Sequence, residues 1–217
     1  FFASLRAPYG CYYVFGNHDY DKYVGITDEG VYDVIEEMGN RSFIVEGLKK
    51  MFAKKKKAYT VSSRAASLSR HENLCALLKK TSFVCLENAT EKRYIGKARI
   101  NISGLGDACL NKACPSRAFE GYKSGDLNIV VVHNPDTLYQ VGEIPGDLVL
   151  AGHTHGGQVN LPFLRKRFIF SGEAHGMKGA VEAKGKKMFI SRGIGSPYPF
   201  RWFVPPEIAS ITLKRKK

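Results

Sequence analysis

An apolar run that ends abruptly in glycine and histidine constrains this chain most. Leu148–Ala151 is followed by the segment 152–158, which reads Gly-His-Thr-His-Gly-Gly-Gln. A short apolar run bounded by glycine predicts a buried strand, so the histidines lie where that strand enters a loop. Residues two apart in an extended segment project to the same side, and His153 and His155 can therefore point into one cavity. Because neutral imidazole is a common metal ligand, the segment predicts a metal site.

Two further apolar runs end in side chains of the same chemical kind. His133 follows the run Asn128–Val132 and precedes an Asn-Pro pair, whose proline ends strand pairing. The segment 16–19 reads Gly-Asn-His-Asp and follows a short apolar run near the start of the chain. Histidines at several strand ends favour one shared metal site over separate surface residues.

The segment 16–19 suits a division of labour. The amide oxygen of Asn17 can ligate a metal, and His18 can donate a proton to a departing alkoxide. Asp19 can orient His18 and fix its tautomer. In the alternative interpretation, Asn17 and Asp19 are turn residues and His18 is merely exposed.

The three segments, in this order, resemble the last three motifs of the calcineurin-like metallophosphoesterase superfamily, and the similarity spans nearly the whole chain. Within it, the tail Ser191–Gly195 with Pro206–Ile208 and the extended Gly156–Gln158 resemble a bacterial, often membrane-associated phosphohydrolase branch. The resemblance implies an α/β fold, a four-layer α/β/β/α sandwich with two mixed sheets.

The resemblance also implies a site with two divalent ions that share a bridging carboxylate. Asn17, His133 and His153 would serve one ion, and His155 the other. Manganese is the first expectation, with iron, zinc and cobalt as alternatives, because His and Asn ligation suits all of them. Such a pair of ions promotes hydrolysis of phosphoester or pyrophosphate bonds.

Four further residues receive roles or candidate roles in this scheme. The resemblance implies that His18 contacts the phosphate and protonates the leaving group, with Asp19 orienting it. Arg192 and His175 are additional candidates for substrate binding. The branch implies a lipid-linked substrate such as UDP-2,3-diacylglucosamine in lipid A biosynthesis, with the enzyme at the cytoplasmic face of the inner membrane.

Charge supports an anionic partner without choosing one. The chain has 33 Lys and Arg against 20 Asp and Glu, a net charge of +13, with clusters at 54–57, 165–167 and 214–217. Such clusters attract anionic membranes, phosphorylated substrates or nucleic acid. An anionic membrane surface is the expected partner and nucleic acid is not. Two alternatives stay open, a nucleotide or nucleic-acid phosphodiesterase and a noncatalytic membrane-binding scaffold.

The family's first two motifs, an Asp-x-His and a Gly-Asp-x-x-Asp, do not precede Gly16. We therefore expect residues 1–217 to be the C-terminal part of one phosphoesterase domain, N-terminally incomplete, with a basic insertion near 43–71. That insertion mixes large apolar residues with lysines and suits either a membrane surface or a solvated loop. The stretch 198–203 interleaves aromatic and basic residues, as either a lipid-contacting wall or ordinary core aromatics.

Composition adds three constraints. At 217 residues and 44% apolar content the chain can bury a sizeable core, and no apolar run reaches the roughly 20 residues that span a bilayer. Five cysteines without CxxC spacing argue against a disulfide framework.

Patterns predict helices near Asp28–Met38 and His71–Lys80. They also predict strands at Cys11–Phe15, Phe83–Leu86, Ile100–Ser103, Asn128–Val132, Leu148–Ala151, Met188–Ser191 and Ala209–Leu213.

Overall fold

A computed structural model describes residues 2–35, 60–123, 125–158, 160, 178–195 and 201–214. These residues form an α/β fold of mixed sheets with short helices. No helix in the described ranges has both the length and the apolar character needed to cross a membrane. The strands are β1 (Cys11–Tyr13), β2 (Val24–Ile26), β3 (Val31–Val34), β4 (Thr60–Val61), β5 (Phe83–Cys85), β6 (Ala89–Ile95), β7 (Ala98–Gly104), β8 (Leu127–Val131), β9 (Leu148–Ala151), β10 (Gly179–Ala183) and β11 (Lys186–Ile190). The helices are α1 (Ser63–Ala66), α2 (Glu72–Leu78), α3 (Pro115–Ala118) and α4 (Thr137–Gln140), and 3₁₀ turns lie at Phe2–Ser4, Ala108–Leu110 and His155–Gly157.

The larger sheet has six strands in the order β10-β11-β9-β8-β7-β6. Its four inner strands run parallel, and β6 and β10 pair antiparallel at the two edges. The carboxyl ends of β7, β8, β9 and β11 therefore lie along one edge of the sheet. In open parallel sheets this edge is where ligands bind.

Burial alternates along the inner strands. In β8 and β9 every second residue is buried, and Val130 and Val149 are 1% and 0% exposed. They pack with Met188 and Ile190 of β11 and with Leu138 of α4 in one apolar core. Burying a side chain of this size contributes about 1.5–3 kcal/mol, so this core fixes the positions of the strand ends.

Two smaller sheets pack around a second core. In one sheet β1 and β5 pair in parallel; in the other, β2, β3 and β4 lie side by side. Phe15, Tyr20, Val24 and Tyr32 are buried there together with Cys109. This second core supports the segment 16–19, because Phe15 and Tyr20 anchor it on both sides.

Most predicted strands are confirmed within two residues at each end, as comparison with β1, β5, β7, β8, β9 and β11 shows. The helix predicted at His71–Lys80 corresponds to α2. His71 occupies its N-cap position without a capping bond from its side chain. All five cysteines are free thiols, in agreement with the absence of a disulfide framework.

The helix predicted near Asp28–Met38 is wrong over its described part. Thr27 and Gly30 close a turn by a 3.0 Å backbone hydrogen bond, with Gly30 at φ +79°. Strand β3 follows, in which Tyr32 and Val34 are buried and Val31 and Asp33 are only partly buried. This alternation has a period of two, and β-branched and aromatic residues favour the strand. Residues 36–38 lie outside the described residues.

The strand predicted at Ala209–Leu213 is also wrong. These residues have no regular structure, and Ile211 and Leu213 are 41% and 49% exposed. The pattern has the right residue types, but a strand needs a partner, and none pairs with this segment in the part of the chain that the structure describes. The lysine cluster 54–57 of the predicted insertion lies outside the described residues, whereas 60–71 contain β4 and α1.

Candidate active site

Neighbouring parallel strands place two histidines side by side. His133 and His153 each stand two residues beyond the end of their strand, β8 and β9 respectively. The two segments remain hydrogen-bonded past the sheet, because the amide of Gly152 donates to the carbonyl of His133 at 2.9 Å. The spacing predicted from the two apolar runs therefore brings both imidazoles to the same point of the sheet edge.

Three polar atoms converge at this point. Nε2 of His133 lies 3.0 Å from Oδ1 of Asn17 and 3.0 Å from Nδ1 of His153. One ring nitrogen has either a proton or a free lone pair, so it cannot donate to Asn17 and accept from His153 at once. Two donor atoms about 2.1 Å from one ion and at right angles are about 3 Å apart. The donor set therefore fits a divalent metal.

The electrostatics of the cluster also fit a metal. Loss of solvation lowers the pKa of His133 well below its ordinary value, and the neighbouring imidazole of His153 lowers it further. Burial likewise lowers the pKa of His153 to about 3, with His18 and His155 adding to the effect. Both rings are therefore neutral at physiological pH and offer the lone pairs that a cation needs.

His155 lies apart from this three-atom cluster. Its Nδ1 is 2.9 Å from the carbonyl oxygen of Gly195, which can only accept, so Nδ1 has the proton. Nε2 is consequently the nitrogen with the free lone pair, as in metal-binding histidines whose second nitrogen is hydrogen-bonded. Burial lowers the pKa of His155 despite this bond, which keeps the ring neutral.

The loop with these histidines is strained. His153, His155 and Gln158 adopt φ values of +67°, +49° and +58°, in the left-handed region that residues with a Cβ avoid. Each such residue costs on the order of 1–3 kcal/mol and persists only where surrounding structure enforces it. Here backbone bonds between Gln158 and Trp202 (3.0 Å) and between Asn160 and Trp202 (2.9 Å) hold the loop.

His18 lies at the mouth of the cluster. It is exposed, its ring stacks on Tyr23 with centroids 4.8 Å apart, and its Nε2 is 3.4 Å from the amide nitrogen of Asn17. The carboxylate of Asp19 accepts from the amide of Gly16 at 2.8 Å and so closes the turn. An exposed imidazole held beside the donor atoms is well placed to meet a substrate. Sequence reasoning missed Tyr23, because nothing in its surroundings signals stacking.

Arg192 and Arg201 lie next to the loop that contains His155. Arg192 stands two residues beyond β11 and forms an ion pair with Glu207, with Nε and Nη2 both 2.6 Å from Oε2. Arg201, which the sequence did not single out as a site residue, donates to the carbonyls of Arg192 (3.0 Å) and Gly195. His175, the other substrate-binding candidate, lies outside the described residues.

The described residues provide only part of a metal site. Among them, no three His, Cys, Asp or Glu side chains are arranged to hold one ion. The cluster has two imidazoles and one amide, and the bridging carboxylate expected from the resemblance is not among its neighbours in the described ranges. These are the three side chains that the sequence predicted for one ion, and their role as ligands stays a prediction.

Comparison with known proteins identifies relatives over nearly the whole chain. UDP-2,3-diacylglucosamine pyrophosphatase LpxG of Chlamydia trachomatis serovar D is 32% identical over 222 residues, which cover 96% of this chain and 65% of the relative. The phosphodiesterase YaeI of Escherichia coli is 28% identical over 157 residues, 61% of this chain and 58% of the relative. The uncharacterised metallophosphoesterase YkuE of Bacillus subtilis is 30% identical over 118 residues, 54% of this chain and 41% of the relative.

The relatives support the metallophosphoesterase superfamily for this chain. The resemblance drawn from the three histidine-bearing segments is therefore confirmed, including its LpxG-like character. This chain spans 65% of the length of its chlamydial relative. No protein-family model and no solved structure matches it.

Proposed function

We propose that this chain is a metallophosphoesterase that hydrolyses a phosphoester or pyrophosphate bond with divalent metal held by Asn17, His133 and His153. The observation that carries the proposal is the convergence of their three donor atoms, at 3.0 Å from one to the next, at the carboxyl edge of a parallel sheet. Two bound ions, manganese first among the candidates, would neutralise phosphoryl oxygens and activate water. His155 would offer the lone pair of its Nε2 to the second ion.

His18 is the proposed proton donor to the leaving group. Its exposure and its position 3.4 Å from the Asn17 amide support this role, because a substrate bound at the donor atoms would lie next to the ring of His18. Stacking on Tyr23 limits the orientations that its ring can adopt. Asp19 supports His18 by closing the turn through the Gly16 amide.

The proposed substrate is lipid-linked, such as UDP-2,3-diacylglucosamine, the compound in the name of the chlamydial relative. Apolar side chains beside His155 support this proposal: Ile194, Trp202 and Phe203 are 55%, 49% and 66% exposed. Exposed aromatic and aliphatic groups next to a polar site suit a substrate with a polar head and acyl chains. The net charge of +13 suits a location at an anionic membrane, here the cytoplasmic face of the inner membrane.

For the architecture, we propose that residues 1–217 belong to one phosphoesterase domain. The six-stranded sheet and the β1–β5 pair would then be parts of the two mixed sheets of a four-layer α/β/β/α sandwich. The two separate apolar cores, one on the larger sheet and one under β1, are consistent with two such layers.

The test compares substrates on the full-length protein loaded with Mn²⁺. We expect UMP release from UDP-2,3-diacylglucosamine that requires metal and is abolished in His133→Ala and His153→Ala. Turnover of bis(p-nitrophenyl) phosphate without UMP release would keep the metal chemistry and favour a phosphodiesterase acting on other esters, as the name of the Escherichia coli relative suggests. Bound metal without turnover of either compound would contradict the enzymatic proposal and favour a scaffold.

A further inference from the structure

Arg201 has unsatisfied hydrogen-bond donors beside the candidate site. A guanidinium has five N–H hydrogens, and Nη2 of Arg201 uses its two on the carbonyls of Arg192 and Gly195. Nε and Nη1 are buried and have no hydrogen-bond partner within the described ranges. A buried donor without an acceptor is destabilising, more so when the group is charged. The remaining three hydrogens of Arg201 therefore lack an acceptor among the described residues.

In contrast to Arg201, the guanidinium of the neighbouring Arg192 has an acidic partner. Arg192 has Glu207 as a partner through both its Nε and its Nη2, so its charge is compensated. Glu207 is also tied to the loop, because its amide donates to Gly193 at 3.0 Å. Because the carboxylate of Glu207 is bonded to Arg192, it does not compensate the positive charge of Arg201.

Arg201 lies next to His155, a proposed metal ligand. Its Nη2 is 3.2 Å from Nδ1 of His155, and both atoms contact the carbonyl of Gly195. Ile194 and Gly195 are exposed, and Arg201 itself is only partly buried, so the guanidinium lies just beneath the surface of the loop. An oxyanion that displaces the Gly195 carbonyl gains a charged donor in Nη2 of Arg201.

We propose that Arg201 is an anion-binding residue of this site that donates hydrogen bonds to a phosphoryl oxygen of the substrate next to His155. Guanidinium recognises phosphate oxygens through charge-assisted bonds with defined geometry. This role deepens the proposed phosphohydrolase function and rests on it for the identity of the anion. It assigns phosphate recognition to Arg201, whereas Arg192 is held by Glu207.

The experiment measures binding of inorganic phosphate by calorimetry to the full-length protein, with and without Mn²⁺, and determines metal content for each variant. In Arg201→Gln we expect phosphate binding to weaken about ten- to a hundredfold with metal content unchanged. Arg201→Lys keeps the charge without the planar fork and should give an intermediate loss. Added ethylguanidinium should restore part of the binding in Arg201→Ala, which a merely structural role does not predict.

Arg99→Gln is the matched control, because Arg99 forms an ion pair with Asp126 at 2.7 Å at the opposite end of β7 and should leave phosphate binding unchanged. Unchanged phosphate binding in Arg201→Gln overturns the inference, as does loss of metal in that variant, which assigns Arg201 to holding His155. A larger loss in Arg192→Gln transfers the role to Arg192. Since binding is measured apart from turnover, an Arg201-dependent phosphate site in a protein that hydrolyses nothing contradicts only the proposed function.

Discussion

The imidazole of His133 lies against Gly16, where a side chain has no room. A Cβ at Gly16 would come within 2.4 Å of Cε1 and Nδ1 of His133. We predict that Gly16→Ala displaces the ring from Asn17 and lowers Mn²⁺ affinity at least about tenfold, because a contact this short requires one group to move. Isothermal titration with Mn²⁺ measures the effect.

Gly152→Ala is the control for this prediction. It lies in the neighbouring loop, but its Cβ would meet nothing closer than the His133 carbonyl at 3.8 Å, an ordinary contact. Equal losses of affinity in both variants would show that the close packing of Gly16 on His133 does not determine metal binding.

The proposed acid role of His18 predicts a dependence on the leaving group. His18→Asn should lower kcat by about 10²- to 10⁴-fold for an alkyl phosphoester, whose alkoxide needs a proton to depart. For a p-nitrophenyl ester the loss should be much smaller, because that phenolate departs unprotonated. Steady-state kinetics with the two esters measures the ratio; equal losses would assign His18 to substrate binding.

Metal binding should stabilise the fold through the three-atom cluster. At a Mn²⁺ concentration 100 times Kd, mass action adds about 2.7 kcal/mol, which raises Tm by about 5 °C or more in a chain of this size. Differential scanning fluorimetry should show this shift in wild type and not in His153→Ala. His71→Ala removes an exposed histidine at the start of α2 and should keep the full shift; its loss there would point to nonspecific metal binding.

Asp107 links stability to pH. It is fully buried, and burial raises its pKa from 3.8 to about 7, although the Cys109 amide donates to Oδ1 at 2.8 Å and opposes the shift. Between about pH 4 and 7 the folded state binds a proton that the unfolded state has released, so this group's contribution to stability falls as pH rises, by up to about 1.4 kcal/mol per pH unit.

Asp107→Asn should remove that dependence. Relative to wild type, the variant should gain stability between pH 5 and pH 7, as measured by urea unfolding at each pH. Parallel stability curves for the two proteins would show that Asp107 ionises with an ordinary pKa in the folded state.

The exposed aromatics next to the site should contact lipid. Trp202→Ser and Phe203→Gly should each weaken binding to phosphatidylglycerol vesicles about tenfold, since each removes an apolar side chain of substantial area. Phe203 has φ +57°, so glycine also relieves backbone strain there. Tyr94→Ser, at a 65% exposed position of edge strand β6, is the control in vesicle sedimentation. An equal loss in Tyr94→Ser would make the binding nonspecific.

The sequence anticipated those parts of the fold that depend on local pattern. Runs such as Leu148–Ala151 fill buried strands, and chemistry at their ends follows from the parallel arrangement. It did not anticipate β6, β10 or the β2–β3 hairpin. Their residues are polar or mixed, as in β6 with its exposed Tyr94 and Ile95, and only pairing with a neighbouring strand makes them extended.

The sequence predicted which residues form the site better than it predicted how they are arranged. Asn17, His133 and His153 were predicted as one ligand set, and the structure brings their donor atoms together, while their ligand role stays a prediction. The pairing of Arg192 with Glu207, the free donors of Arg201 and the stacking of His18 on Tyr23 depend on contacts across the chain. No local pattern encodes such contacts, because arginine, glutamate, histidine and tyrosine also occur on solvated surfaces without making them.

His133, His153 and Arg192 each stand two residues beyond a parallel strand, while the apolar cores lie within the sheets and beneath them. Stability and chemistry are therefore encoded at separate positions of the same short segments. Over evolutionary time such a fold can change its substrate by substitution of loop residues alone, while its core residues stay the same. The same separation makes the loop after β11, with Ile194 and Gly195, the first place to introduce substitutions that change the ligand while the core stays intact.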